Sequence, residues 1–509
     1  MTTIVQPGLL RSDAVSLTNF SENVPRVTAQ RVYDVRNGAQ QDDWRQGVKN
    51  LQRVVRDAEA DGQPLRAMGT AWSFSPCAMT DGYAVNVLSL SRVLQVWSAG
   101  DLEDPSELGA VVLAQAGARV GALNDFLMSK ARSLRTMGGR GGQTIGGAAL
   151  TGSHGSQIDQ RPIPDQIRGV HLIGKGGESL WIEAASRPLV TAAWAQREGM
   201  ELVRDDDLLN AVVVSVGCLG LVHAVAIETV DGFNLDFHRV RKKLDPELRA
   251  LMETLDFGAG YPLPGGTGRP YHFEVVINPY AVDASDGVSL TVCWKKAFQV
   301  PPPPPGGGSI QPGAAVGDLL AALAGLAPGA VPSTLQLLLN QQYPPKQVNA
   351  PFAVVFPRNV PIGFKPLAAE LALPVAQAGR ALDAILDEID ASRAQHHYAY
   401  PGLVSFRYSQ ATRALIGMAQ FEPTVTIEFP CMSGVNGTAD FFRRLFLRLD
   451  GAGVDYRRHW GQINFLTAGR VASDYGAGLT KWKAKRADLL GPSAALFRNP
   501  FTDATGLTA

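Results

Sequence analysis

The sequence predicts an α+β protein of two or three domains, on three observations. Through the first 230 residues, short β-branched runs punctuated by glycine outnumber helical patterns. Near residue 235 the texture changes to paired strands and Ala/Leu-rich helices. Of the 509 residues, 45% are apolar and 18% charged, ample for a core and unlike a disordered chain.

In the first part, residues 83–88, 110–114, 170–173, 179–183 and 222–230 read as strands. Residues 44–61 and 119–132 read as helices, the second with Val120, Leu123 and Leu127 at helical spacing. This alternation suggests several small sheets rather than one doubly wound sheet, and no GxGxxG follows a strand. Beyond residue 235 the expected elements are a helix at 246–255 and strands at 271–278 and 289–296. A PPPPPGGG segment follows at 301–308, then helices at 314–326 and 367–390. Strands return in LVSFRYS and TVTIEFP, ahead of a helix at 440–450 and a Gly- and aromatic-rich tail from His459. The expected divisions are an N-terminal extension (1–33), a first domain (34–235), a second domain (236–455, with a Pro/Gly-rich insertion at 301–315) and a terminal segment (456–509).

Charge argues against one class of function. The 47 basic and 47 acidic residues cancel, against a nucleic-acid binder that needs a basic face to displace counterions. Cys77, Cys218, Cys293 and Cys431 are far apart with no CxxC pair, which argues against a disulfide framework or structural zinc and for a reducing compartment. The first 30 residues hold no apolar signal region, and Asp318, Pro328 and Pro332 interrupt the longest apolar stretch. A cytoplasmic protein without a membrane span is expected. No HExxH or GxSxG arrangement is present, so zinc hydrolysis and serine hydrolase chemistry have no support.

The strongest functional signal is residues 138–155, GGRGGQTIGGAALTGSHG, with eight glycines in eighteen residues. Each glycine costs backbone entropy, so the run points to backbone amides converging on an anion, most plausibly a phosphate. Thr144, Thr151 and Ser153 add hydroxyl donors. A mobile linker, the bland alternative, would not place TIGGAAL between the glycine groups. RAMGTAWSFSP at 66–76, SVGCLGLV at 215–222, HWGQ at 459–462 and FRNPF at 497–501 are weak singly.

As an ordered set, these motifs resemble the vanillyl-alcohol-oxidase superfamily of PCMH-type FAD-binding flavoproteins. HWG, the FRNPF element and TNFSENV at 18–24 resemble its sugar-1,4-lactone and alditol oxidase branch. The resemblance implies a two-part FAD-binding domain, an α+β substrate domain and a C-terminal segment returning to the flavin. It implies cofactor contacts from Arg66, Gly69, Thr70, Ala71, Trp72 and Ser73 in the first turn. The glycine-rich loop would contribute Gly142, Thr144, Ile145, Gly146, Gly147 and Thr151, continuing through Gly152, Ser153, His154 and Gly155. Gly217, Gly220, Leu221 and Val222 would follow, with Gln462 in the tail. Trp72 stands where many members carry the histidine bonded to the flavin, and Gly142 where doubly linked members carry a cysteine. Non-covalent FAD is therefore implied. Gln462 replaces a lysine of the lactone oxidases.

The same resemblance, with strand alternation, singles out Arg407 in VSFRY as a charge-stabilising group, with Ser405 where the branch carries a glutamate. Glu428 in TVTIEFP and His459 are the candidate proton acceptors. An ordinary surface ion pair between Arg407 and Glu428 is the alternative, as is a structural role for His459. The implied activity is FAD-dependent oxidation of a hydroxyl-bearing carbon in a small molecule, with dioxygen as oxidant. A bulky apolar substrate like that of a cholesterol oxidase, or a flavin-binding protein without catalysis, stand as alternatives.

Overall fold

A computed structural model describes residues 2–40, 43–299, 327–356 and 365–508. The expected Pro/Gly-rich insertion at 301–315 and the helix at 314–326 lie outside the described residues.

The fold is α+β. Its first part is built on three sheets rather than one, as the scattered short runs implied. β1 (Thr2–Gln6), β2 (Leu9–Leu17), β3 (Val27–Val35), β4 (Leu65–Met68) and β5 (Tyr83–Asn86) make a five-stranded sheet in the order β1-β2-β3-β5-β4. Residues 1–33, expected as an extension, thus supply strands to this sheet. Helix α1 (Arg45–Ala60) links β3 to β4 and buries Leu51, Val54, Val55 and Ala58 on one face at helical spacing. β6 (Val93–Leu94), β7 (Val111–Gln115), β9 (Ile167–Ile173), β10 (Ser179–Glu183), β11 (Glu201–Arg204) and β12 (Leu221–Glu228) form a six-stranded sheet. β8 (Arg132–Ser133) and β13 (Val230–Asp231) pair separately. β9 and β12 are buried along their whole length, which is why they read as unbroken apolar runs.

The second part is an eight-stranded sheet. Its strands are β14 (Phe233–Lys242), β15 (His272–Ile277), β16 (Val288–Ala297), β17 (Lys346–Pro351), β18 (Pro366–Pro374), β19 (Val404–Ser409), β20 (Thr424–Met432) and β21 (Arg457–Arg458). They lie in the order β17-β14-β16-β15-β19-β20-β18-β21. Alternation sorts its two faces. Phe273, Val275, Phe406, Ile427, Phe429 and Leu371 join one core with Leu248 and Leu251 of the helix Pro246–Thr254, Leu382 and Ile385 of Ala378–His396, and Phe441 and Leu445 of Thr438–Gly451. The opposite face looks back toward the first part.

One expected element is corrected. Residues 367–390 read as a single helix, but Pro366–Pro374 is strand β18, paired along its length with β20, and the helix begins at Ala378. Prolines bracket the strand at both ends, and burial on both faces accounts for its Ala/Leu composition. Among the described residues, no helix is long and apolar enough to cross a membrane. All four cysteines are free and buried.

Candidate active site

The polar face of the eight-stranded sheet and the glycine-rich turns of the first part enclose one cavity of about 660 Å³. The turn after β4 contributes Gly69, Thr70, Ala71, Trp72 and Ser73 to its wall. Ala71 takes a left-handed φ of 53°, the conformation a tight turn requires there. A Cβ on Gly69 would stand 2.5 Å from Thr144 Oγ1, so this glycine lets the two loops meet. Thr144 caps helix α2 (Ile145–Leu150) by accepting a hydrogen bond from the Gly147 amide at 3.2 Å.

Within α2 the paired glycines do different work. Gly146 packs against the chain after β7, where a Cβ would lie 2.9 Å from the Ala116 carbonyl oxygen. Gly147 faces the cavity, and a Cβ there would meet only Thr144 Oγ1, at 3.0 Å. Thr151, Ser153, His154 and Gly155 continue the wall, joined by Gly217, Gly220, Val222 and Gln462. Ile145 and Leu221 are buried in the hydrophobic core behind that wall, and Gly142 and Gly152 stand off it too. Gly142 lies directly beneath the Trp72 indole: a Cβ would run into the ring, so these two residues are fitted to each other.

Arg66 is a strut. It is 3% exposed, and its terminal nitrogens donate to the carbonyls of Gly217 (2.9 Å), Val216 (2.5 Å), Phe497 (3.4 Å) and Cys77. It ties three chain segments, at residues 77, 216–217 and 497, at the cavity floor.

The sheet supplies charge. Arg407 on β19 hydrogen-bonds Glu428 of β20 at 2.6 Å and Glu274 of β15 at 3.1 Å, and lies 3.6 Å from Glu370 of β18. Strand pairing sets the four side by side, Glu274 opposite Arg407 and Glu370 opposite Glu428. Burial alone would lower the basicity of the guanidinium, but Glu428, Glu274 and Glu370 hold its pKa well above the ordinary value. Burial opposes charge on Glu274 as well, but Arg407, together with His272 and Arg239, outweighs it and holds the Glu274 pKa below its ordinary value.

His154 Nε2 contacts Glu370 Oε1 at 2.9 Å and its Nδ1 contacts the Gly155 carbonyl at 3.0 Å. Both partners are acceptors, so both ring nitrogens carry protons and the buried ring is an imidazolium. Burial works against that charge, but Glu370 prevails and raises the His154 pKa. His459 behaves oppositely. Its Nδ1 accepts the Gly461 amide at 2.9 Å, and burial pulls its pKa down to about 4, leaving a neutral ring protonated at Nε2.

The structure therefore brings Arg407, Glu428 and His459 to one cavity and adds residues the sequence reading missed. Glu274 alternates with His272 in HFEVV, a polar period-two signal that was readable. Glu370 was hidden by the helical reading of its strand. The donor set suits a dinucleotide: glycine turns without Cβ atoms line one end, and Gln462 Oε1 is buried there with no partner among the described residues. No cluster of metal-ligating side chains exists among the described residues.

Comparison with known proteins agrees. A family model described as an FAD binding domain matches residues 46–183. L-gulono-1,4-lactone dehydrogenase of Mycobacterium tuberculosis is 26% identical over 435 residues, 84% of this chain and 87% of that protein. D-arabinono-1,4-lactone oxidase of Saccharomyces cerevisiae is 27% identical over 188 residues, 37% of this chain and 31% of its own. Among solved structures, cholesterol oxidase from B. sterolicum superposes with a TM-score of 0.70 at 12% identity, covering 98% of this chain and 97% of the other, a likeness of fold. By these likenesses the chain carries an FAD binding domain over residues 46–183, with FAD as its cofactor.

Proposed function

We propose that this FAD-dependent oxidoreductase oxidises a hydroxyl-bearing carbon of a polyhydroxylated, sugar-derived molecule, with dioxygen as the acceptor. The observation that carries this reading is the charged face of the eight-stranded sheet, where Glu274, Arg407, Glu428 and Glu370 crowd the cavity. An apolar substrate would desolvate these groups without replacing their hydrogen bonds, at a cost of several kcal/mol. A polyol supplies a donor and acceptors at every carbon. The apolar helix Val331–Gln342 does not contradict this, since Val331, Leu335 and Leu339 are buried in the core and only its end reaches the cavity.

Bound FAD supplies a two-electron hydride acceptor. The chain's residues do the rest. Glu428, 20% exposed and the least buried of the three carboxylates, takes the hydroxyl proton as the C–H bond gives up its hydride and the carbonyl forms. Arg407 stabilises the charge that develops on the substrate oxygen. His459 serves as a donor through Nε2, because its Nδ1 is already occupied by the Gly461 amide. The Trp72–Gly142 contact fills the space between the first turn and the glycine-rich loop with an indole, in keeping with FAD held without a covalent bond.

Anaerobic mixing of the holoenzyme with xylitol, sorbitol, an aldonolactone and a sterol tests the reading. Bleaching of the flavin by one or more of the first three is expected. Bleaching by the sterol alone would overturn the sugar-derived assignment, and bleaching by none would overturn simple alcohol oxidation.

A further inference from the structure

The charged face does not end at Glu274. Continuing across the sheet, Glu274 pairs with Thr291 of β16, Thr291 with Arg239 of β14, and Arg239 with Lys346 of β17, and all of these line the cavity. The two ends of this row differ in how their charges are met. Glu274, Glu370 and Glu428 are held by Arg407, and Glu370 also by the His154 imidazolium. Arg239 and Lys346 have no ion-pair partner among the described residues.

Arg239 is also presented for binding. Its Nε donates to Thr291 Oγ1 at 3.1 Å, and its guanidinium lies over the Phe237 ring at 4.9 Å and the Tyr343 ring at 5.1 Å. The ring contacts fix the plane of the fork, while its terminal nitrogens make no hydrogen bond with any described residue. A planar fork held in place beside a flexible ammonium is an arrangement suited to anionic oxygens. The cavity-facing Tyr343 and Thr291 hydroxyls could not neutralise it.

We propose that the Arg239–Lys346 end of the cavity is a subsite for an anionic oxygen group, carboxylate or phosphate, borne by the substrate at the end away from the reacting carbon. Three strand positions separate Arg239 from Arg407, so the anion is read apart from the chemistry. This rests on the sugar-derived reading above and narrows it from neutral polyols to sugar acids or sugar phosphates.

Binding to the holoenzyme, measured calorimetrically without dioxygen, tests this with sorbitol, gluconate and sorbitol 6-phosphate as probes. At low salt, gluconate or sorbitol 6-phosphate should bind at least about tenfold tighter than sorbitol. Arg239→Gln should remove that preference and leave sorbitol affinity unchanged, while Arg239→Lys should keep part of it. Lys346→Gln, on a more exposed strand end, should weaken the same preference and provides a reading if Arg239→Gln folds poorly. Whichever anion shows the Arg239-dependent gain identifies the group. Equal affinity for all three probes, or a preference that survives Arg239→Gln, would overturn the subsite. Tight anion binding without flavin reduction would instead count against the oxidation reading alone.

Discussion

Replacing Arg407 with methionine tests the charged cluster. The substitution keeps most of the side-chain volume and removes the cation that three carboxylates share: Glu428 at 2.6 Å, Glu274 at 3.1 Å and Glu370 at 3.6 Å. The groups are 5–20% exposed, so water screens them weakly, and losing one partner of such a buried set costs about 3–5 kcal/mol. The sign with pH follows from Glu274. In the wild type its folded pKa lies below the ordinary 4.5, so it stabilises the fold above that value and the contribution fades as pH falls. In the variant, burial acts unopposed by Arg407 and the carboxyl is raised instead, penalising the fold wherever the unfolded chain is ionised. The deficit should therefore be near its full size at pH 8 and shrink as pH falls toward 5. Calorimetric unfolding of holoprotein at both pH values reads it. A deficit below about 1 kcal/mol, or one equal at both pH values, would refute the reasoning. In parallel, flavin reduction should fall at least about 10²-fold with FAD retained.

Three further outcomes are expected. On a denaturing gel, the flavin should migrate away from the protein band, and fluorescence remaining with the band would show a covalent link. Gly147→Val should give folded protein with little bound flavin, whereas Gly146→Val should chiefly lower stability, by about 1–3 kcal/mol, through overpacking against Ala116; the ratio of flavin to protein absorbance separates the two, and full occupancy in Gly147→Val would contradict the assignment. Acid should destabilise the fold before any carboxylate titrates: burial lowers the pKa of His171 to about 3 and of His272 and His459 to about 4, so each contributes stability above its unfolded value near 6.5 that is lost as pH falls, at up to about 1.4 kcal/mol per pH unit per ring. A flat unfolding free energy between pH 6.5 and 4.5 would show that these rings are protonated in the fold.

The glycine-lined end of the cavity was legible in the sequence because its requirements are local. A Cβ on Gly146 or Gly220 would crowd a neighbouring carbonyl and one on Gly217 the Arg66 guanidinium, while Gly147 faces the cavity, and such positions show in the string itself. The sheet face was half legible. Arg407 and Glu428 were singled out by the family resemblance, with alternation setting their faces, but Glu370 sits in PLAAELALP, whose Ala and Leu speak for a helix until pairing with β20 is known. Arg66 carries the opposite lesson. An arginine beside a glycine turn looks like a ligand contact, and only the assembled fold shows its terminal nitrogens bonded to carbonyls while the residue still lines the cavity. His154 likewise gains its charge from a residue 216 positions away.

That strut has a consequence for how the protein matures. The carbonyls Arg66 gathers come from residues 77, 216, 217 and 497, and Asn499 donates to the Cys77 and Met79 carbonyls from the same distal segment. A ribosome that has released only the first domain has released a cleft whose floor is open. The floor closes when residues beyond 495 arrive and thread back more than 400 positions, a loop closure that is costly in entropy and slow. Arg66 and the glycine turn behind it are therefore braced on this side only once the segment around Phe497 and Asn499 is in place.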